Sequence, residues 1–172
     1  DLHKEYRRQR QMCIRDRNTT LYGHNWHNIY TPRTQANMQA NDLMFSLVMS
    51  YNYTDFAQEN PFIYFSTTEQ DYVFQVFASY YTDLNFGYNY AQMSQEDFQK
   101  VIAEAKAKSL SNYNVPVTSE DKIVTLSTCT RVHGNTNNQR FVVMAKLVPV
   151  GTPSTTISTH SNPIAYNSSI DA

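Results

Sequence analysis

The chain has 172 residues, of which 41% are hydrophobic and 17% are charged, and its formal net charge is −1. This length suits one domain with a sizeable core. Residues 1–17 carry six cations and three anions, so the rest of the chain has eight cations against twelve anions. An acidic main body argues against nucleic acid as the principal partner, and no apolar run approaches the roughly 18 residues of a membrane span.

Residues 1–17 have a helix-permissive composition but no apolar face. We expect them to be a basic extension outside the domain, either foreign to it or disordered. The chain starts with Asp1 rather than Met, so we expect it to be a fragment. One of its two cysteines, Cys13, lies in this segment, and a disulfide to Cys129 is the simplest alternative to a reactive thiol. The irregular pattern around Cys13 argues against that pairing.

The first half of the domain predicts three strands and one helix. β-branched and aromatic residues from Asn18 onward predict a short strand that ends at Gly23. Residues 42–51 predict a helix, and nearly continuous apolar runs at 61–66 and 72–80 predict two strands that are either buried on both sides or form a barrel wall. The helix would have Asn41 or Asp42 as its N-cap and would bury Leu43, Phe45, Leu47 and Val48.

The second half contains the clearest helix signal. Ser94 is a suitable N-cap for residues 94–108, which place apolar side chains at helical spacing and lysines in the last turn. Residues 149–172 are rich in Pro, Ser, Thr and Asn, so we expect a mobile C-terminal tail without regular structure. The domain would therefore span residues 18–148.

Between that helix and the tail lies a predicted antiparallel hairpin. Residues 122–130 form an apolar, β-branched run that contains Cys129, and a second run over 140–148 begins at Arg140. A hairpin would place Cys129 and Arg140 at the same rim of a sheet. A guanidinium beside a thiol favours the thiolate and can stabilise an oxyanion.

Three stretches together resemble the sortases, and class B sortases in particular. They are Leu21-Tyr-Gly-His-Asn25, Thr125-Leu-Ser-Thr-Cys-Thr130 and Arg140-Phe-Val-Val143, and the family's hallmark is a Thr-Leu-x-Thr-Cys strand with an upstream His and a downstream Arg. The resemblance implies a mainly β fold with helices, a sortase-like β-barrel whose class B helix is residues 94–108. Only 17 residues precede Asn18, so we expect an incomplete barrel that lacks its first strands.

The resemblance also implies a cysteine transpeptidase that cleaves a sorting signal of the Leu-Pro-x-Thr-Gly or Asn-Pro-x-Thr-x type after its Thr. Cys129 would be the nucleophile, His24 the general acid and base, and Arg140 the group that stabilises the oxyanion. Ser127 lies two residues before Cys129 on the same predicted strand, so it would share the face of Cys129 and line the substrate groove. Thr128 and Asn25 are further substrate-binding candidates.

Partners and location follow from the same resemblance. We expect a monomer without cofactor or metal, acting on a surface-protein sorting signal and on an amine of a peptidoglycan precursor or pilin. Its place would be the outer face of the cytoplasmic membrane of a Gram-positive bacterium, held there by an anchor that this chain does not contain.

Three alternatives remain open. A papain-like Cys-His hydrolase is disfavoured because its Cys usually precedes its His and begins a helix, whereas here His24 precedes Cys129. A metal site built from His24, His27 and His133 has no acidic residue near its first pair. A sortase-like fragment that binds peptides without catalysis is the non-enzymatic alternative.

Overall fold

The computed structural model describes residues 17–90 and 92–164, so almost all of the predicted basic extension and the end of the predicted tail lie outside the described residues. No helix within these ranges is long and apolar enough to cross a membrane. The elements in chain order are strand β1 (Asn18–Gly23), two 3-10 helices (Gln35–Asn37 and Ser46–Asn52), helix α1 (Thr54–Glu59), β2 (Phe62–Ser66), β3 (Asp71–Asp83), helix α2 (Gln95–Lys108), β4 (Ser111–Tyr113), β5 (Ile123–Cys129), β6 (Gln139–Val148) and β7 (Ile157–Thr159).

Five strands form the main sheet in the order β1-β5-β6-β3-β2. β1 runs parallel to β5, and the other neighbours are antiparallel. The sheet curls into a half-barrel, which confirms the predicted mainly β fold. Across the part of the chain that the structure describes, β1 and β2 are its two edges, and β4 pairs with β7 in a separate small sheet.

The central strands of the sheet are buried on both faces. Residues 141–145 of β6 are completely buried, and α2 packs against β3 through Phe98, Ile102 and Ala105. Each large apolar side chain buried in this way stabilises the fold by about 1.5–3 kcal/mol. β2 differs from the prediction of a strand buried on both faces, because it lies at the edge and its Tyr64 is 74% exposed.

Helix α2 begins where the sequence predicts, because Ser94 caps its first turn. The Ser94 hydroxyl accepts a hydrogen bond from the Asp97 amide at 3.1 Å and donates one to the Asp97 carboxylate at 2.8 Å. That bond and the charge of Lys100 hold the pKa of Asp97 below its usual value. One serine hydroxyl thus forms hydrogen bonds with both the backbone amide and the carboxylate of Asp97.

We expect Ser94→Ala to lower the free energy of unfolding by about 1 kcal/mol, because the first turn of α2 loses its cap. Urea denaturation followed by circular dichroism measures this change. Ser154→Ala, at an exposed serine in an irregular segment, is the matched control and should change stability much less. Equal losses in both variants would contradict the capping role.

Two predictions from local sequence are wrong. The helix expected at 42–51 is a 3-10 helix that begins only at Ser46, and Leu43 is exposed rather than buried. Asp42 does not cap it, since its carboxylate instead binds Arg33 and the Gln39 amide. The segment after Val148 also contains regular structure: β7 pairs with β4 and buries Ile157 in the core.

Candidate active site

Cys129 is the last residue of β5 and is a half-buried, free cysteine. Its partner in the antiparallel register is Arg140, the second residue of β6. The predicted placement of Cys129 and Arg140 at one rim of the sheet is therefore confirmed. The free thiol gives no support to the disulfide alternative.

His24 reaches the same rim through the parallel pairing of β1 with β5. Parallel strands end at the same edge of a sheet, and Gly23, the last residue of β1, pairs with Thr128. His24 follows directly, with an exposed ring that meets the edge of Trp26 at 5.9 Å between ring centroids. Strand order thus sets Cys129 in the middle, with His24 on its β1 side and Arg140 on its β6 side.

One groove of about 490 Å³ joins these three residues. The residues that line it are His24, Asn25, Trp26, Ile29, Cys129, Thr130, Arg131, Thr136, Asn137 and Arg140. It combines a thiol, an imidazole and two guanidinium groups, which are the parts needed for nucleophilic attack, proton transfer and anion stabilisation. The structure therefore brings the three predicted catalytic residues to a single cavity.

Buried polar contacts tie the loop after β1 to the cysteine strand. Thr128 donates through its hydroxyl to the Gly23 carbonyl at 2.7 Å, and Thr130 donates to the Ile29 carbonyl at 3.2 Å. Asn25 is buried, and its side-chain amide donates to the Met49 sulfur at 2.7 Å and to the Cys129 carbonyl at 3.5 Å. These contacts fix the position of His24 relative to Cys129.

Gly23 is required by a close approach of Phe45. A methyl group added at Gly23 would overlap the Phe45 ring, and the Phe45 amide donates to the His24 carbonyl at 3.1 Å. The turn that delivers Phe45 has Met44 at a φ of 57°, a left-handed conformation that is costly for a residue with a side chain. This strained turn thus supports the backbone of His24.

Arg140 is held by the loop between β5 and β6. One of its terminal nitrogens, Nη1, donates to the carbonyls of Asn137 and Gln139, both at 2.8 Å. Gln139 is fully buried, and its amide organises the loop by donating to the Gly134 carbonyl and the Thr136 hydroxyl. The guanidinium is therefore anchored at one nitrogen, while its other N–H groups remain available to a ligand.

The three predicted substrate-binding residues occupy different places. Asn25 lines the groove, but its side chain points to internal partners. Ser127 and Thr128 are 1% and 2% exposed and do not line the groove. Ser127 shares a 2.8 Å hydroxyl–hydroxyl hydrogen bond with Tyr88, and Thr128 binds the Gly23 carbonyl. Their contact with substrate stays a prediction, and the described contacts give Ser127 and Thr128 a supporting role.

Sequence reasoning missed Tyr88, Trp26 and Arg131. Tyr88 is buried behind Ser127, and burial raises the pKa of its phenol, so the group stays neutral. Trp26 and Arg131 line the groove directly. The position of Arg131, two residues after the cysteine, was the one local signal that could have identified a groove residue.

The three histidines of the metal alternative do not form a cluster. His133 contacts the ring of Tyr81, with 4.7 Å between centroids, while His24 lies beside Trp26. Among the described residues, no group of three or more His, Cys, Asp or Glu side chains could hold a metal ion. The geometry therefore gives this alternative no support.

Comparison with known proteins gives one consistent result. A family model described as the sortase domain matches residues 4–148. Sortase B of Staphylococcus aureus is 30% identical over 159 residues, which cover 87% of this chain and 59% of that protein. Sortase B of Listeria monocytogenes is 28% identical over 148 residues, which cover 86% of this chain and 54% of that protein.

Solved structures agree with the sequence matches. A Staphylococcus aureus sortase B–substrate complex superposes with a TM-score of 0.62 at 32% identity, over 78% of this chain and 56% of that chain. Clostridium perfringens sortase B gives a TM-score of 0.63 at 26% identity, over 79% and 68% of the two chains. The chain spans little more than half the length of the curated relatives it matches. The chain belongs to the sortase family, and the relatives and solved structures that it resembles are class B sortases.

Proposed function

We propose that this domain is a class B cysteine transpeptidase that acts on a C-terminal sorting signal of the Leu-Pro-x-Thr-Gly or Asn-Pro-x-Thr-x type. The observation that carries the proposal is the single groove shared by His24, Cys129 and Arg140. Membership of the sortase family and the substrate complex of the Staphylococcus aureus relative support it. The domain would act at the outer face of a Gram-positive cytoplasmic membrane.

In the first half-reaction, the Cys129 thiolate attacks the carbonyl carbon of the signal's Thr and forms a tetrahedral oxyanion. Arg140, anchored by the loop carbonyls on the far side of Cys129 from His24, donates to that oxyanion. The C–N bond then breaks, and protonated His24 gives its proton to the leaving amine. The product is a thioester between Cys129 and the signal's Thr.

In the second half-reaction, an acceptor amine attacks the thioester carbon. His24 takes the proton of the amine, the C–S bond breaks, and the thiolate of Cys129 is restored as a new amide forms. The acceptor would be an amine of a peptidoglycan precursor or of a pilin. Water in its place gives hydrolysis, so the balance between transfer and hydrolysis depends on how well the groove binds the acceptor.

Geometry disfavours the papain-like alternative. Cys129 ends a strand and does not lie at the N-terminus of a helix, where papain-like enzymes place their cysteine. A transpeptidase forms a covalent intermediate with the signal peptide, whereas a peptide-binding module does not, so detection of that intermediate distinguishes the two hypotheses.

We expect incubation with sorting-signal peptides to add the mass of the N-terminal peptide portion to the protein, because the thioester accumulates when no acceptor is present. Intact-mass spectrometry measures the adduct, and hydroxylamine should release it as a hydroxamate. A scrambled peptide of the same composition is the control. A panel of both signal types that leaves the protein mass unchanged, with the fold intact, would favour the binding-module alternative.

A further inference from the structure

The groove contains a second permanent cation that the two half-reactions do not use. Arg131 lines it together with Arg140, whereas none of the groove-lining residues among those described is Asp or Glu. Neither arginine forms an ion pair with a carboxylate in the described part of the chain. A groove with two uncompensated guanidinium groups favours a ligand that carries negative charge.

Arg131 is tied both to the loop that follows His24 and to Asn137, whose carbonyl also binds Arg140. The Arg131 amide donates to the Ile29 carbonyl at 2.7 Å, and its guanidinium lies 6.0 Å from the Tyr30 ring centroid and donates to the Tyr30 hydroxyl at 3.1 Å. The other terminal nitrogen donates to the Asn137 side chain at 2.9 Å. These side-chain bonds use two of its five N–H donors, and the other three form no hydrogen bond with the described residues.

Trp26 supplies an apolar surface beside His24. It is 71% exposed although it lines the groove, and its ring contacts that of His24. Large exposed aromatic side chains beside a reactive centre commonly bind ligands, because covering them removes apolar surface from water. Because His24 exchanges protons with amines in the proposed reaction, the aromatic surface in contact with its ring lies where an amine substrate would approach.

We propose that Arg131 and Trp26 form the acceptor subsite and bind an amine that carries a carboxylate. The amine end lies at His24 and the thioester, the chain of the acceptor covers Trp26, and the carboxylate binds Arg131 by charge-assisted hydrogen bonds. Arg140, anchored through Nη1 by the Asn137 and Gln139 carbonyls, serves the oxyanion with its other N–H groups. The acceptor class is thus a short peptide or amino acid derivative with a free carboxylate. This inference rests on the proposed function.

The test compares two acceptors that differ only at the C-terminus, triglycine and triglycinamide. Wild-type protein should transfer to triglycine with roughly tenfold higher kcat/KM, because a hydrogen-bonded charge pair contributes about one factor of ten or more. Arg131→Gln should lower the ratio of the two values by about the same factor. Intrinsic differences between the amines cancel, because every variant receives the same pair.

Two further variants make the result specific. Arg131→Lys keeps the charge and should keep a reduced preference for triglycine, which also covers the case in which Arg131→Gln does not fold. Lys100→Gln removes one positive charge from the exposed face of α2 and should leave the ratio unchanged. The proposal is wrong if wild-type protein shows no preference, or if Arg131→Gln slows both acceptors equally and keeps the ratio.

A binding measurement separates this inference from the transpeptidase proposal. Trp26 is the only tryptophan in the sequence, so protein fluorescence reports on the groove without turnover. In the Cys129→Ala background, triglycine should titrate the fluorescence at lower concentration than triglycinamide, and Arg131→Gln should remove that difference. Equal titration by both peptides overturns the subsite. Failure to form any thioester in wild-type protein overturns the proposed function instead.

Discussion

Cys129→Ala is expected to remove thioester formation and amide transfer, with a loss of roughly 10⁵-fold or more in turnover, because no other group can carry the acyl chain. The measurement is cleavage of a fluorescent signal peptide together with intact-mass detection of the adduct. Stability should change little, since Cys129 is the half-buried last residue of β5 and alanine preserves its backbone. A thermal melt checks that the fold is retained.

The second cysteine provides the control for this experiment. Cys13→Ala removes a thiol from the basic segment outside the described residues, and we expect wild-type turnover. Undiminished turnover in Cys129→Ala would refute Cys129 as the nucleophile. A disulfide between the two cysteines would block the Cys129 thiol, so Cys13→Ala would then raise turnover above wild type, an outcome that the free thiol of Cys129 does not support.

Those parts of the fold that depend on nearest neighbours could be predicted from the sequence. Helix α2 follows from the Ser94 cap and an apolar stripe, both of which are local. The pairing of Cys129 with Arg140 follows from two strands joined by a short polar loop. His24 at the same rim required the family resemblance, because its strand lies far from β5 in the sequence and pairs with it in parallel.

Long-range contacts decided the features that the sequence did not reveal. β7 is a short polar strand that exists because Ile157 finds a core position and β4 provides an edge. The orientation of Ser127 depends on Tyr88, which is 39 positions away in the sequence and whose hydroxyl shares a hydrogen bond with the Ser127 hydroxyl. Strand alternation places a side chain on a face, but it does not say whether that face opens to the groove or to the interior.

Arg140→Ala should lower kcat/KM for the signal peptide by a factor of roughly 10² to 10³, the usual effect of losing one oxyanion donor. For Arg140→Lys we expect a kcat/KM between those of the wild-type protein and Arg140→Ala, because lysine retains the charge but not the planar set of N–H donors. Steady-state cleavage of the fluorescent peptide measures both variants. Arg17→Ala, at an exposed arginine before β1, is the control and should cleave at the wild-type rate.

The same arginine could act in two ways, and thiol alkylation distinguishes them. Reaction of Cys129 with iodoacetamide needs a thiolate but forms no oxyanion. If Arg140 acts on the oxyanion, Arg140→Ala slows peptide acylation by at least roughly 10²-fold while alkylation changes much less. If it acts by favouring the thiolate, both rates fall together. The anchoring of Nη1 by the Asn137 and Gln139 carbonyls favours the first outcome, because it fixes the direction of the remaining N–H donors instead of only supplying charge.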